Sequence, residues 1–286
     1  MTAITATSVH DRNRQHHPPL TFAGGKNPGR VTLGRVVQAE FIKLSTARSM
    51  VTAVATAGLL AVGVGAFSAV GLVVQDATAT GPDTATADPL GGALTGVSPA
   101  TYAIATLGVL AVTSEYASGS IKSTLAGVPR RAHLVLGKAL AVAATTFTVM
   151  LTAVLAAFVA AQAIVAIDGI DLSLTADGVI RAIVGSALYL TGVAIIGVGL
   201  GWLLRSTAGA LATFLGVFVI LPVIGFVLPE PVGGAILPYL PSNAGAAIMQ
   251  LTPGNGLSPW AGLAVFALYA ALTLFGAAFA LQHRDA

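Results

Sequence analysis

Few side chains in this chain can do polar chemistry, and most of those cluster in two short stretches. Residues 113–138, TSEYASGSIKSTLAGVPRRAHLVLGK, carry Lys122, Arg130, Arg131 and Lys138 against a single acid, Glu115. Residues 33–49, LGRVVQAEFIKLSTARS, set Arg35, Glu40, Lys43 and Arg48 among Val36, Val37, Phe41, Ile42 and Leu44. The chemistry on offer is non-covalent: docking of a soluble partner through charge and a small apolar face, or contact with anionic lipid headgroups, which is the usual role of basic residues flanking membrane spans. In the first stretch Ile121, Leu125 and Val128 offer the apolar face and Lys122, Arg130 and Arg131 the charge. Glu115 suits a local cap or ion pair at the membrane edge, and Tyr116 an interfacial anchor, as readily as either suits a partner.

Catalytic and cofactor motifs are missing. No GxxxxGK[ST] loop occurs, so the chain is not by itself a P-loop ATPase. The pairs Gly24-Gly25, Gly91-Gly92 and Gly233-Gly234 sit in polar or proline-rich surroundings, without the strand and helix of a nucleotide fingerprint. His10, His16, His17, His133 and His283 all lie outside the long apolar runs, which argues against a haem held between two histidines in a bundle. With no cysteine, disulfides, Cys-based zinc sites and thiol chemistry are excluded. No nucleic-acid partner is needed to explain a net charge of +3.

The elements that must position these residues follow from composition. Charged residues make up 9% of the 286 and hydrophobic ones 55%, with a mean hydropathy of +0.86. A soluble domain carries roughly a quarter charged residues, so this is a bilayer protein. Crossing about 30 Å of hydrocarbon takes about 20 apolar residues in a helix. Six runs meet or approach that length, near 50–74, 98–112, 135–167, 179–204, 207–228 and 260–281. The second has a vague start in a Gly/Pro-rich stretch, and the third is long enough to tilt or to project from the membrane. Their continuity excludes barrel strands, which alternate in short segments. The expected fold is an all-α polytopic membrane protein with six transmembrane helices.

Charge gives the expected orientation. Thirteen of the 14 Lys and Arg residues fall on one side of a six-span arrangement; Arg181, just inside the fourth run, is the exception. The opposite loops carry Asp76, Asp83, Asp88, Asp168, Asp171, Asp177 and Glu230. The basic bias places both termini and residues 113–138 in the cytoplasm. No Asp, Glu, Lys or Arg lies at a span centre, which counts against an ion-coupled carrier. Thr145, Thr146, Thr148, Thr152 and Gln162 suit hydrogen bonding between helices better than a lined pathway.

Residues 33–49 read as an amphipathic helix on the inner membrane surface, an elbow before span one, with a plain extension of that span as the alternative. Residues 1–32 are polar and read as a disordered cytoplasmic tail without a secretory signal, so span one serves as an uncleaved anchor. Between spans five and six, residues 229–259 form the largest external loop, with six prolines and an apolar middle suited to one or two short helices.

The residues AEFIKLSTARS before span one, and Glu115, Tyr116, Gly119, Ser120, Ile121, Lys122, Thr124, Leu125, Pro129 and Arg131 after span two, resemble the permease subunits of actinobacterial type-2 ABC exporters. Those chains show A-E-x-x-K-L-x-S/T-x-R-S and E-Y-x-x-G-[ST]-I-[RK]-x-T-L-x-x-x-P-x-R in the same places. The external YLPSNAGAAI and the closing HRDA are also similar, with His283 where a second arginine is common. The resemblance covers most of residues 33–286. It implies a homodimer of permeases in the plasma membrane, driven by separate ATP-binding subunits that hold the ATP and magnesium, with no cofactor in this chain. It implies coupling through Glu40, Lys43 and Arg48 of the elbow and through Glu115, Tyr116, Gly119, Ile121, Lys122, Thr124, Leu125, Pro129, Arg130 and Arg131 after span two. A secondary carrier and a non-transporting membrane anchor are the alternative readings.

Overall fold

A computed structural model describes residues 32–78, 89–127, 131–168, 173–251 and 256–283. The tail assigned to residues 1–32 lies outside them as far as residue 31. Among the described residues there is no strand, and six helices are long and apolar enough to cross a membrane.

The first described helix is α1 (Leu33–Thr46), which stops at Ala47, whose extended backbone (φ −76°, ψ 114°) turns it into α2 (Arg48–Thr78). Residues 33–46 therefore form a helix of their own, joined to span one by a corner at Ala47, whereas Arg48 and Ser49, expected in the same helix, open α2. Val36, Glu40 and Leu44, four residues apart, form the buried face of α1.

The second span is longer than its hydropathy suggests. It runs from α3 (Pro89–Leu94) through a turn into α4 (Val97–Ala117). The turn contains Gly96, which passes so close to α2 that a Cβ there would lie 2.2 Å from the Ala61 carbonyl oxygen. The glycine that blurs the sequence signal is what lets the two spans touch. After α5 (Ile121–Gly127), α6 (Arg131–Val165) starts four residues before the expected run and extends about 50 Å at 1.5 Å per residue. That is more than the hydrocarbon needs, and its first turns are buried where they pack with α1.

Helix α7 (Val179–Leu204) is the most enclosed, packed by α4, α6 and α12 (Pro259–His283). Small residues allow this: a Cβ on Gly192 would meet the Phe266 ring at 2.4 Å, and one on Gly199 would meet Thr273 at 2.7 Å. The fifth span is broken into α8 (Thr207–Leu215), a π-helical turn over residues 216–220, and α9 (Leu221–Val227), with Pro222 just past the π turn.

The segment expected as an external loop is ordered as α10 (Glu230–Ile236), α11 (Pro241–Ala246) and two 3₁₀ turns. It folds back into the bundle: Gly245 lies against Tyr189, Gly185 against Ile248, and Gly262 against the Ala244 carbonyl. Arg181 is held here, donating to the Gln250 carbonyl at 2.9 Å.

Candidate functional site

Apart from Arg181, the basic residues among those described lie at one end of the bundle, where α1, the ends of α4, α7 and α12, and the starts of α6 and α8 meet. The elbow is seated there first by shape. Gly137 of α6 faces Val36 of α1 so closely that a Cβ would fall 2.6 Å from Val36 Cγ1.

Above that contact lie four charges from three helices. Lys43 Nζ bonds Glu40 Oε1 at 2.7 Å, one turn away on α1, and Glu115 Oε1 of α4 at 3.0 Å. Lys138 Nζ of α6 bonds the same Glu115 Oε1 at 2.8 Å and closes the ring on Glu40 Oε2. Glu40, Glu115 and Lys138 are buried, with Lys138 only 2% exposed, while Lys43 reaches out to solvent. Each charge has two neighbours of opposite sign, and the ring is neutral as a whole. A buried charge is tolerated only when paired and hydrogen-bonded, so the ring fixes the register of three helices more than it adds net stability. Burial alone would lower the Lys43 pKa, but the hydrogen bonds and charges of Glu40 and Glu115 outweigh it, and the net shift is upward from the usual lysine value. A lysine raised in this way keeps its ion pairs through neutral pH and loses them only as pH climbs through the raised value.

Tyr116 packs edge-on against Trp202 with ring centroids 5.9 Å apart, and the Arg205 guanidinium lies 5.4 Å over the Tyr116 ring. Arg205 adopts a left-handed backbone (φ 52°) that ends α7, and Ser206 caps α8 by accepting from the Gly209 N–H. Thr207 then donates to Thr113 at 2.8 Å, tying the start of span five to span two.

Gly119 supplies the positive φ (72°) that terminates α4 and starts the turn into α5. Thr124 donates to the Ser120 carbonyl and so serves its own helix. Ile121 corrects the sequence reading: it is 4% exposed and packed in the chain's own core, so it seats α5 on the bundle and offers no apolar face outward. The outward side of α5 carries Lys122, Ser123 and Ala126. Arg48 is exposed at the start of α2, with no carboxylate partner among the described residues. Val128, Pro129 and Arg130 lie outside the described residues, as does the Leu125 side chain.

Arg131 donates to the Leu281 carbonyl at 2.6 Å, gripping the last turn of α12. Because that turn has carbonyls without helical partners and a partial negative charge, the contact contributes about 1 kcal/mol. Arg131→Gln should speed hydrogen exchange in residues 279–283 about fivefold. An unchanged rate there would show that the contact holds nothing.

The residue that sequence reasoning passed over is Lys138. It counted as one more topology-setting base, yet its neighbours Val135, Leu136, Gly137, Ala139 and Leu140 are all apolar. A lysine embedded in such a run must find a carboxylate, and that was the available signal.

A family model described as ABC-2 family transporter protein matches residues 35–256, from the elbow through the refolded external segment. The chain belongs to the ABC-2 transporter family. It is thus a multi-pass membrane protein of the ABC permease type, a family whose members are in general membrane subunits that work with an ABC ATP-binding subunit and carry no catalytic site of their own. The match covers all four members of the ion ring in this ABC-2 chain. No curated protein matches the chain.

Proposed function

We propose that this ABC-2 chain is the transmembrane permease subunit of an ATP-driven exporter, coupled to a separate cytoplasmic ATP-binding subunit through α1 and α5. The observation that carries the reading is the ion ring. It ties the elbow, the end of span two and the start of span three into one joint, and α5 leaves that joint with Lys122, Ser123 and Ala126 facing out. A push on α5 or α1 is thereby delivered to α4 and α6 together.

A partner shifts a bundle between two arrangements only by binding them differently. ATP-dependent closure of paired ATP-binding subunits, which hold the nucleotide and magnesium, does this. The basic end faces the cytoplasm by the positive-inside bias, and the host bilayer is the plasma membrane. Two permease chains form the path, the outward apolar faces of spans one, five and six being shared between lipid and the second copy. Export as the direction follows from the family resemblance.

The absence of native cysteine makes the test direct. Ser123→Cys on α5, labelled with a maleimide–benzophenone and irradiated with the co-expressed ATP-binding subunit, should give a crosslink to it, and Gly63→Cys on the open face of α2 should not. If no ATP-binding subunit co-purifies and residue 123 yields no crosslink, the reading fails.

A further inference from the structure

Beside the ion ring, the C-terminal half of α1 does not close on the bundle. It leaves an apolar cavity of about 310 Å³, walled by Phe41, Leu44 and Ser45 of α1, by Met50, Val51, Val54 and Ala55 of α2, and by Leu107, Val142, Thr145 and Val149 of α4 and α6. Leu44, Met50, Leu107 and Val142 form a buried floor, whereas Phe41, Val51 and Ala55 are exposed at the mouth.

The lining determines the occupant. Both hydroxyls are spent inside their own helices, Ser45 on the Ile42 carbonyl at 3.0 Å and Thr145 on the Ala141 carbonyl at 2.9 Å. The two hydroxyl oxygens can still accept, but a water needs two to four polar partners and the rest of the lining is apolar, so the space favours an apolar occupant. The cavity lies where α1 meets the first two turns of α2, and Arg48, Val51 and Ala55, spaced three and four residues apart, share the side of α2 on which it opens. Arg48 stands between the wall residues Ser45 and Met50, exposed and without a carboxylate partner among the described residues. Lys43, by contrast, is committed to Glu40 and Glu115.

We infer that this cavity holds one acyl chain of an anionic phospholipid whose headgroup is paired with Arg48, so that a lipid is a structural part of the elbow's seat. The elbow then rests on three supports in sequence: the tight Val36–Gly137 contact, the ion ring, and a lipid chain where the helices diverge. This site stands whether or not the chain couples to an ATP-binding subunit.

The test uses the full chain in detergent, titrated with phosphatidylglycerol or phosphatidylcholine of the same acyl length and read by native mass spectrometry. Wild type should retain one phosphatidylglycerol about fivefold more strongly than phosphatidylcholine, corresponding to about 1 kcal/mol for one basic residue. Arg48→Gln should abolish that preference. Ala55→Phe, which fills the mouth, should lower retention of both lipids about tenfold, corresponding to about 1.4 kcal/mol. Thr145→Leu fills the cavity from the opposite wall and serves as the same test should the phenylalanine variant fail to assemble. Equal retention of the two lipids by wild type overturns the inference, as does a filled variant that assembles and still binds phosphatidylglycerol like wild type.

Discussion

Lys138→Met should detach the elbow helix from the bundle. The substitution keeps a side chain of similar length and removes only the charge that faces Glu40 and Glu115. Both carboxylates are buried, and Glu115 Oε2 already has no partner among the described residues. Lys43 alone cannot neutralise two acids, so a net negative charge is left in a dry joint. Breaking a buried pair from one side costs about 3–5 kcal/mol, most of it the penalty of the stranded partner. The cheapest relief is for α1 to swing out and carry Glu40 to water, because α1 is held by one face and a corner at Ala47. Trypsin should then cut at Lys43 and Arg48 much faster than in the wild type. The triple variant Glu40→Gln, Glu115→Gln, Lys138→Met strands no charge and should resist trypsin better than the single variant, even though more bonds are gone. The reverse order, with the triple variant cut faster than Lys138→Met, would mean that packing and not charge holds the elbow.

How far the sequence reached depended on whether a feature was local. Six runs of apolar residues at helical length specify six helices, because a bilayer leaves the backbone few alternatives. That a helix separate from span one precedes it was suggested by charges that recur through residues 35–48, but the break itself, at Ala47 and inside that run, was not. Pairing across the chain was not legible. Glu115 and Lys138 are 23 residues apart and Glu40 and Lys138 are 98 apart, and only the packing of α1, α4 and α6 shows that they meet. Ile121 was misread because α5 is too short for a reliable hydrophobic period, so a residue needed to seat it looked like one offered to a partner. The refolding of residues 230–249 into the bundle was hidden for a related reason. It rests on Gly185, Gly245 and Gly262, and a glycine in a span signals close packing without naming its partner.

Gly108→Ala should be among the most damaging single methyls that can be added to the core, alongside Gly96→Ala. Here α4 and α7 touch backbone to backbone: a Cβ on Gly108 would sit 2.2 Å from the Ala194 carbonyl oxygen and 3.1 Å from Gly197 Cα. Neither is the end of a flexible side chain, so the helices themselves must separate. In an isolated helix the same change would gain about 1 kcal/mol, because alanine is the better helix former. Overpacking a close contact costs about 3 kcal/mol and outweighs that gain. Gly63→Ala, on a face of α2 with nothing within 4 Å, isolates the propensity term and should be neutral or slightly stabilising. In the same detergent Gly108→Ala should therefore lower the apparent melting temperature while Gly63→Ala leaves it unchanged or slightly raised, and a Gly108→Ala protein as stable as wild type would refute the contact. The consequence reaches the ion ring. Glu115 lies two turns along α4 from Gly108, so forcing α4 off α7 also moves Glu115 relative to Lys138. A methyl at residue 108 should thus raise trypsin cleavage at Lys43 as well as lower the melting temperature. If only the melting temperature fell, α4 would be bending between the two points and not moving as one rigid element.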